Sequence, residues 1–169
     1  MKEKIFVSAC LLGEEVRYHG GDAKLEHFKL DQWKEEGRIV SLCPEVSSGF
    51  PIPRAPHEII GTGSGNAVLE GQARIRTKSQ MDHTDQFVKG AEIALKICRE
   101  NNIKMAILKE GSPSCGSYEV YDGRFKGKKI LGRGVVAALL SNSGIHCFSE
   151  HQIEEAAQFL QKLEMQESL

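Results

Sequence analysis

The sequence predicts an α/β fold: a single domain over residues 1–169, with a mainly parallel sheet flanked by helices. Two observations predict it. A chain of 169 residues with 40% hydrophobic content can bury one core and is typical of one domain. Short apolar runs typical of strands also alternate with segments of helical periodicity, in the order β, α, β, loop, α, β, α, β, α.

The first half of the chain contains two predicted strands, one helix and a long loop. "KIFVSAC" is rich in β-branched and aromatic residues and predicts a strand ending at Cys10, with a glycine-rich loop after it. Apolar residues recur at helical spacing over residues 24–36, and "RIVSLC" predicts a second strand ending at Cys43. Residues 44–65 contain four prolines and four glycines, so we expect a long ordered loop with a functional role.

The second half predicts a further strand and helix alternation. "AVLEGQARIRT" indicates two short extended pieces, which would form a small hairpin or an edge addition. Helices are expected over 82–102, 134–140 and 150–165, strands over 103–110 and 145–149, and a polar loop over 117–132. The predicted fold is therefore Rossmann-like, with a long loop or a small hairpin as an insertion.

Charge and composition exclude several classes of function. The chain has 22 basic and 23 acidic side chains, scattered and with a net charge of −1, so we expect no nucleic acid polymer as a partner. No apolar run approaches the roughly 20 residues of a membrane span, and the N-terminal run is too short for an export signal. We expect a soluble, cytoplasmic protein, and the sequence does not indicate its oligomeric state.

Five cysteines without a CxxC pair argue against a disulfide scaffold. Two of them, Cys98 and Cys147, lie in apolar helix and strand patterns and are predicted to be core residues. The other three, Cys10, Cys43 and Cys115, follow predicted strands, and Cys115 lies in "KEGSPSCGSY". If these strands are parallel neighbours, the three thiols meet in the crevice beyond their carboxyl ends. Such a set suits zinc or an iron–sulfur cluster, and the residues alone leave both open.

Polar residues near these strand ends are candidates for chemistry. Glu45 follows Cys43 by two residues and could act as a general acid or base. Serines beside a proline often cap a turn, and they could also contribute to a site. His57 and His83 are distant from the cysteines in sequence and are not expected to be ligands. The residues that could line a pocket for a polar planar molecule are Arg17, Tyr18, His19, Arg54 and Ser114. Ser112 and Ser114 could also cap the turn around Pro113.

Four segments resemble the bacterial 2-thiouracil desulfidase family. They are "VSACLLGEEVRYHG" (7–20), "CPEVSSGFPIPR" (43–54), "LKEGSPSCGSYEVYDGRF" (108–125) and "GRGVVAALL" (132–140). They run along most of the chain in the family's order, and the CPE and SPSCG elements are specific. Three positions, His19, Ser48 and Phe50, depart from the family's pattern, in loops expected to form the pocket.

The resemblance implies both a cofactor and a reaction. The cofactor would be a [4Fe–4S] cluster held by Cys10, Cys43 and Cys115, with Glu45 and Ser112 as the catalytic residues. The reaction would be redox-neutral desulfuration of a thiocarbonyl compound, a thiouracil-like thiolated base or nucleoside, to the oxo compound and sulfide. The alternatives are a zinc-binding hydrolase and a non-catalytic iron–sulfur binding or redox module that uses the same cysteines.

Overall fold

The structure, a computed structural model, describes residues 2–61 and 64–167. The strands are β1 (Ile5–Ser8), β2 (Ile39–Leu42), β3 (His57–Ile60), β4 (Arg74–Thr77), β5 (Met105–Leu108), β6 (Glu119–Tyr121), β7 (Lys129–Leu131) and β8 (His146–Ser149). The helices are α1 (Phe28–Glu35), α2 (Pro44–Ser47), α3 (Gly65–Leu69), α4 (Thr84–Glu100), α5 (Val135–Asn142) and α6 (Ile153–Glu167).

A four-stranded parallel sheet in the order β2-β1-β5-β8 forms the centre of the molecule. In the central strand, Phe6 pairs with Val40 of β2 on one side and with Ala106 of β5 on the other. The predicted α/β fold with a parallel sheet is thereby confirmed. The chain winds outward in both directions from β1 and β5, so the ends of these two strands form the crevice in which such folds bind ligands.

The two faces of the sheet carry separate cores because side chains alternate along each strand. Phe6, Ala106 and Leu108 pack on one face with apolar residues of α4 and α5. Val7 and Ile107 point the other way, towards α1 and α6. Cys98 belongs to the first core and Cys147 packs against it, which confirms the prediction that both are core residues.

Three predictions for the connections were wrong in part. The segment 67–77 is not a pair of extended pieces, because Ser64 caps α3 by accepting a hydrogen bond from the backbone N–H of Ala67. Only β4 is extended there, and it pairs antiparallel with β3. The expected long loop over 44–65 contains α2, which a proline can begin because its first turn needs no N–H donor, and it also contains β3.

The polar segment 117–132 is the third correction, since it forms the β6–β7 hairpin instead of a loop. Two carboxylates anchor this hairpin through its backbone. Glu110 Oε1 accepts from the N–H groups of Ser117 (3.0 Å) and Glu119 (2.8 Å), and Glu58 Oε1 accepts from that of Gly123 (2.9 Å). The hairpin has little apolar signal because most of its side chains face solvent.

The first helix begins later in the chain than the sequence predicts. The periodicity predicts a start near residue 24, whereas α1 begins at Phe28, where the His27 ring accepts a hydrogen bond from the N–H of Lys29 at 3.1 Å.

Within residues 2–61 and 64–167, no helix combines the length and the apolar content that crossing a membrane requires.

Candidate functional site

Three cysteines lie just beyond the carboxyl ends of three adjacent parallel strands. Cys10 lies in a short 3₁₀ turn (Ala9–Leu12) after β1, Cys43 is the residue that precedes α2 after β2, and Cys115 follows β5 in the SPSCG turn. Because β2, β1 and β5 are neighbours, their ends meet, and all three thiols line one cavity of about 250 Å³. The strand order, which the sequence left open, brings them together.

The SPSCG turn closes around one hydroxyl group. Ser112 Oγ accepts hydrogen bonds from the backbone N–H groups of Ser114 at 3.0 Å and of Cys115 at 3.2 Å. Serines make such local bonds readily, which is why they favour turns. The hydroxyl therefore fixes the backbone that carries Cys115.

The same turn docks on the N-terminus of α5. The carbonyl oxygens of Pro113 and Ser114 accept hydrogen bonds from the N–H groups of Val135 (2.9 Å) and Val136 (2.8 Å). These N–H groups have no partner within the helix, so the turn caps it. The approach requires Gly134, because a Cβ there would lie 2.4 Å from the Ser114 carbonyl oxygen.

Burial and mutual proximity make the thiols hard to ionise. Burial, together with the nearby Cys43, raises the pKa of Cys10 to about 11. Burial also raises the pKa of Cys115, to which both Cys10 and Cys43 add. The positive charge of Arg17 acts in the opposite direction on Cys10. The ionised form of these thiols therefore needs positive charge nearby, such as a bound metal supplies to its cysteine ligands.

The donor set suits an iron–sulfur cluster. In the described ranges, no three or more His, Cys, Asp or Glu side chains are grouped closely enough to hold one metal ion. A cluster of several irons instead takes one thiolate on each iron, and the three thiols border a cavity that lies between them. Cys10, Cys43 and Cys115 are the residues that could hold it.

Glu45 and Arg54 form a buried ion pair at the wall of the cavity. Glu45 Oε2 accepts from Arg54 Nε at 2.8 Å and lies 2.5 Å from Arg54 Nη2. The other carboxylate oxygen, Oε1, lies 3.5 Å from Ser112 Oγ, which donates to it. The two predicted catalytic residues are thus in contact, although 67 positions separate them in the sequence.

The other predicted pocket residues divide into two groups. Arg17, Tyr18, Arg54 and Ser114 line the cavity. His19 is exposed and is not one of the lining residues. Its Nδ1 accepts a hydrogen bond from the N–H of Gly21 at 3.0 Å, as the aspartate expected at this position would through a carboxylate oxygen.

The two other departures from the family's pattern, Ser48 and Phe50, do not line the cavity. Ser48 ends α2, and its hydroxyl donates to the carbonyl oxygen of Glu45 at 2.8 Å. Phe50 is buried, and its ring contacts His57, His83 and Phe87 edge-on or tilted. Both residues therefore support the wall that carries Glu45.

Sequence reasoning missed His57, which lines the cavity and is 8% exposed. Its Nε2 lies 2.8 Å from His83 Nδ1 across a hydrogen bond. Burial, together with the nearby His83, lowers the pKa of His57 to about 4. The two histidines are 26 positions apart, so no local signal could have paired them.

Sequence reasoning also missed three further residues that line the cavity. Lys109 is the first residue after β5, and this strand-end position was a usable signal. Its Nζ lies 3.2 Å from Glu150 Oε2. Tyr121 and Lys129 come from the β6–β7 hairpin, where Lys129 Nζ lies 5.5 Å from the centre of the Tyr121 ring. Tyr121 and Lys129 were not identified as candidates because the segment that carries them was predicted to be a loop.

Comparison with known proteins gives three matches over most of the chain. The family model described as 2-thiouracil desulfurase matches residues 5–152. The uncharacterized protein YbbK of Bacillus subtilis (strain 168) is 46% identical over 151 residues, which cover 89% of this chain and 98% of YbbK. The solved structure of the [4Fe-4S]-dependent thiouracil desulfidase TudS superposes with a TM-score of 0.87 at 46% identity, over 95% of this chain and 99% of that one. The chain therefore belongs to the 2-thiouracil desulfurase family.

Proposed function

We propose that this protein is a [4Fe–4S]-dependent desulfidase that converts a thiouracil-like thiocarbonyl compound to its oxo form and sulfide without net oxidation or reduction. One observation carries the proposal: three thiols and the Glu45–Ser112 pair line the same cavity. The similarity to TudS, a [4Fe-4S]-dependent thiouracil desulfidase, supports the choice of cofactor and substrate class.

Cys10, Cys43 and Cys115 would hold the cluster, and the cations around them favour it. Arg17 and Lys109 lie close enough to Cys10 to lower its pKa, so they also offset the negative charge of three thiolates. When bound, the cluster supplies an iron that no cysteine ligates, which acts as a Lewis acid towards the thiocarbonyl sulfur. Side chains of the protein carry out every other step of the proposed reaction.

Glu45 and Ser112 would manage the protons of a hydrolytic exchange. The overall change is C=S plus H₂O to C=O plus H₂S, so no electron acceptor is required. Glu45 takes a proton from the attacking water as a general base. Ser112 passes a proton between Glu45 and the substrate, and the N–H groups of Ser114 and Cys115 stabilise negative charge on its oxygen during the transfer.

The cavity would hold a small planar substrate. Arg17, Tyr18 and Ser114 are the proposed contacts for its ring and polar edges, and Tyr121 adds an aromatic side chain to the cavity lining. The partner is thus a small thiolated molecule. The chain's balanced, scattered charge offers no broad basic face for a nucleic acid polymer.

The test is anaerobic reconstitution with iron and sulfide, followed by sulfide release from a panel of thiouracils and thionucleosides. Cys10→Ser, Cys43→Ser and Cys115→Ser should each lose the broad visible absorbance and sulfide release together. Cys98→Ala, in the core, is the matched control and should keep both.

Three outcomes would contradict the proposal. A Cys115→Ser protein that keeps both cluster and activity would remove the ligand assignment. A colourless, zinc-rich protein would favour the zinc hydrolase. A fully loaded protein that releases no sulfide from any member of the panel would favour a non-catalytic iron–sulfur module.

A further inference from the structure

The side chain of Arg54 makes several contacts within the protein. Its Nε and Nη2 contact Glu45 Oε2, Nη2 also donates to the carbonyl oxygen of Val16 at 2.9 Å, and Nη1 donates to that of Pro51 at 3.1 Å. The side chain is 5% exposed. All three guanidinium nitrogens thus already have protein partners, although the residue lies at the cavity wall.

These partners belong to different segments of the cavity wall. Val16 lies in the loop after β1, Glu45 in the first turn of α2, and Pro51 in the loop after α2. The backbone N–H of Arg54 also donates to the carbonyl oxygen of Tyr18 at 2.8 Å. A guanidinium group can join them because it presents five N–H donors in a rigid plane. Arg54 therefore fastens two cavity loops to the carboxylate between them.

The contact also determines which oxygen of Glu45 is available. Both Arg54 contacts are made to Oε2, which leaves Oε1 to face Ser112. If the carboxylate rotated, Oε1 would lose this position and the proton path to Ser112 would lengthen. Misplacement of a catalytic group by about 1 Å can cost about 100-fold in rate.

We infer that Arg54 is a positioning residue that holds Glu45 with Oε1 directed at Ser112, and that it does not bind the substrate. The inference rests on the proposed function, in which Glu45 is the general base. It differs from the expectation drawn from the sequence, where Arg54 was one of the substrate-binding candidates.

The first test compares Arg54→Ala, Arg54→Lys and Arg17→Ala as cluster-loaded proteins. Arg54→Ala should keep its iron content and visible spectrum, lose about 10- to 100-fold in kcat, and keep KM within about twofold. Guanidinium ions added at millimolar concentration should restore part of kcat, and Arg54→Lys should keep more activity than Arg54→Ala. Arg17→Ala, at a proposed substrate contact, should instead raise KM. Arg99→Ala, which removes an exposed arginine on α4, is the matched control and should behave as wild type.

Two kinetic results would overturn the inference. One is a rise in KM for Arg54→Ala with kcat unchanged, which is the signature of lost substrate binding. The other is wild-type kcat in Arg54→Ala, which would mean that Glu45 does not need the contact.

A second test does not use activity. Melting temperatures of apoprotein are compared for wild type, Glu45→Gln, Arg54→Met and the double variant. If the two side chains hold each other, the double variant should lose less than the sum of the two single losses. Additive losses would overturn the contact. If wild-type protein releases no sulfide, the proposed function fails, while this cycle still decides the pairing.

Discussion

The Ser112 hydroxyl group combines a structural and a chemical role in one atom. Its oxygen accepts two backbone N–H groups of the turn, and it donates towards Glu45 Oε1. Two donors on the oxygen make the hydroxyl proton easier to release, since they stabilise the charge left behind. The side chain is therefore suited to pass a proton to the carboxylate.

Replacement of this hydroxyl should separate catalysis from cluster binding. We expect Ser112→Ala to lower kcat by about 100-fold, because it removes one proton-transfer group. Most of the cluster should remain bound, because the contacts of Pro113 and Ser114 with α5 still hold the turn. The measurements are sulfide release and iron content per chain. Ser47→Ala, which changes an exposed serine on α2, is the control and should match wild type. Unchanged kcat in Ser112→Ala would exclude the relay.

His57 should make the apoprotein less stable in mild acid. Its ordinary pKa of 6.5 falls to about 4 in the folded state because of burial. Between these values the unfolded chain binds a proton that the folded chain does not, so stability is highest above pH 6.5 and falls as the pH drops towards 4. The loss by pH 4 is on the order of 3 kcal/mol.

Urea unfolding of wild type and His57→Gln at pH 7, 5.5 and 4.5 measures this loss. Glutamine does not titrate, so the stability advantage of wild type over the variant should shrink as the pH falls. A difference that stays constant with pH would mean that His57 titrates alike in both states.

At the scale of elements, helix α5 and the SPSCG turn depend on each other. The carbonyl oxygens of the turn accept hydrogen bonds from the first N–H groups of the helix, and Gly134 allows this close contact. A side chain at this position would push the backbone that carries Cys115. The stability of the helix and the position of a proposed cluster ligand are therefore coupled.

Gly134→Ala should reduce both stability and cluster loading. Its Cβ would overlap the Ser114 carbonyl oxygen, and such overpacking costs about 1–3 kcal/mol. Gly127→Ala is the comparison: its φ of +75° makes alanine strained, but nothing surrounds the added Cβ. It should lower the melting temperature without changing iron content. Equal iron content in the two variants would contradict the coupling.

The elements that the sequence predicted well are those whose own residues carry the signal. Strands such as "KIFVS" and helix α4 have apolar residues at the spacing of their structure, and they were found. The β6–β7 hairpin was missed because residues outside it, through the carboxylates of Glu58 and Glu110, hold its backbone. Helix α2 was missed because proline and glycine nearby suggested irregular structure.

At the scale of the whole molecule, the site exists only because three strands lie side by side. Strand ends predicted which cysteines could meet, yet the order β2-β1-β5 that brings them together depends on pairings between residues far apart in sequence. The contacts of Glu45 with Ser112 and of His57 with His83 likewise join residues that are 67 and 26 positions apart. Local patterns therefore predicted candidates for the site, and the family resemblance supplied their roles.

A cluster that joins three strand ends should stabilise the whole fold. A ligand present at 100 times its dissociation constant adds about 2.7 kcal/mol, which corresponds to about 5–10 °C in melting temperature for a chain of this size. We expect removal of iron by a chelator to lower the melting temperature by this amount. The Cys10→Ser protein should show no such change, and an equal change there would indicate nonspecific iron.

The separation of the three cysteines along the chain also has a consequence for biosynthesis. The roughly 70 residues between Cys43 and Cys115 take on the order of 4–14 s to translate. During that interval Cys10 and Cys43 have been synthesised and their proposed third partner has not, and β1 has not yet gained β5 as a neighbour. The proposed cluster can therefore be completed only after synthesis of the SPSCG turn, and Cys10 and Cys43 stay free thiols until then.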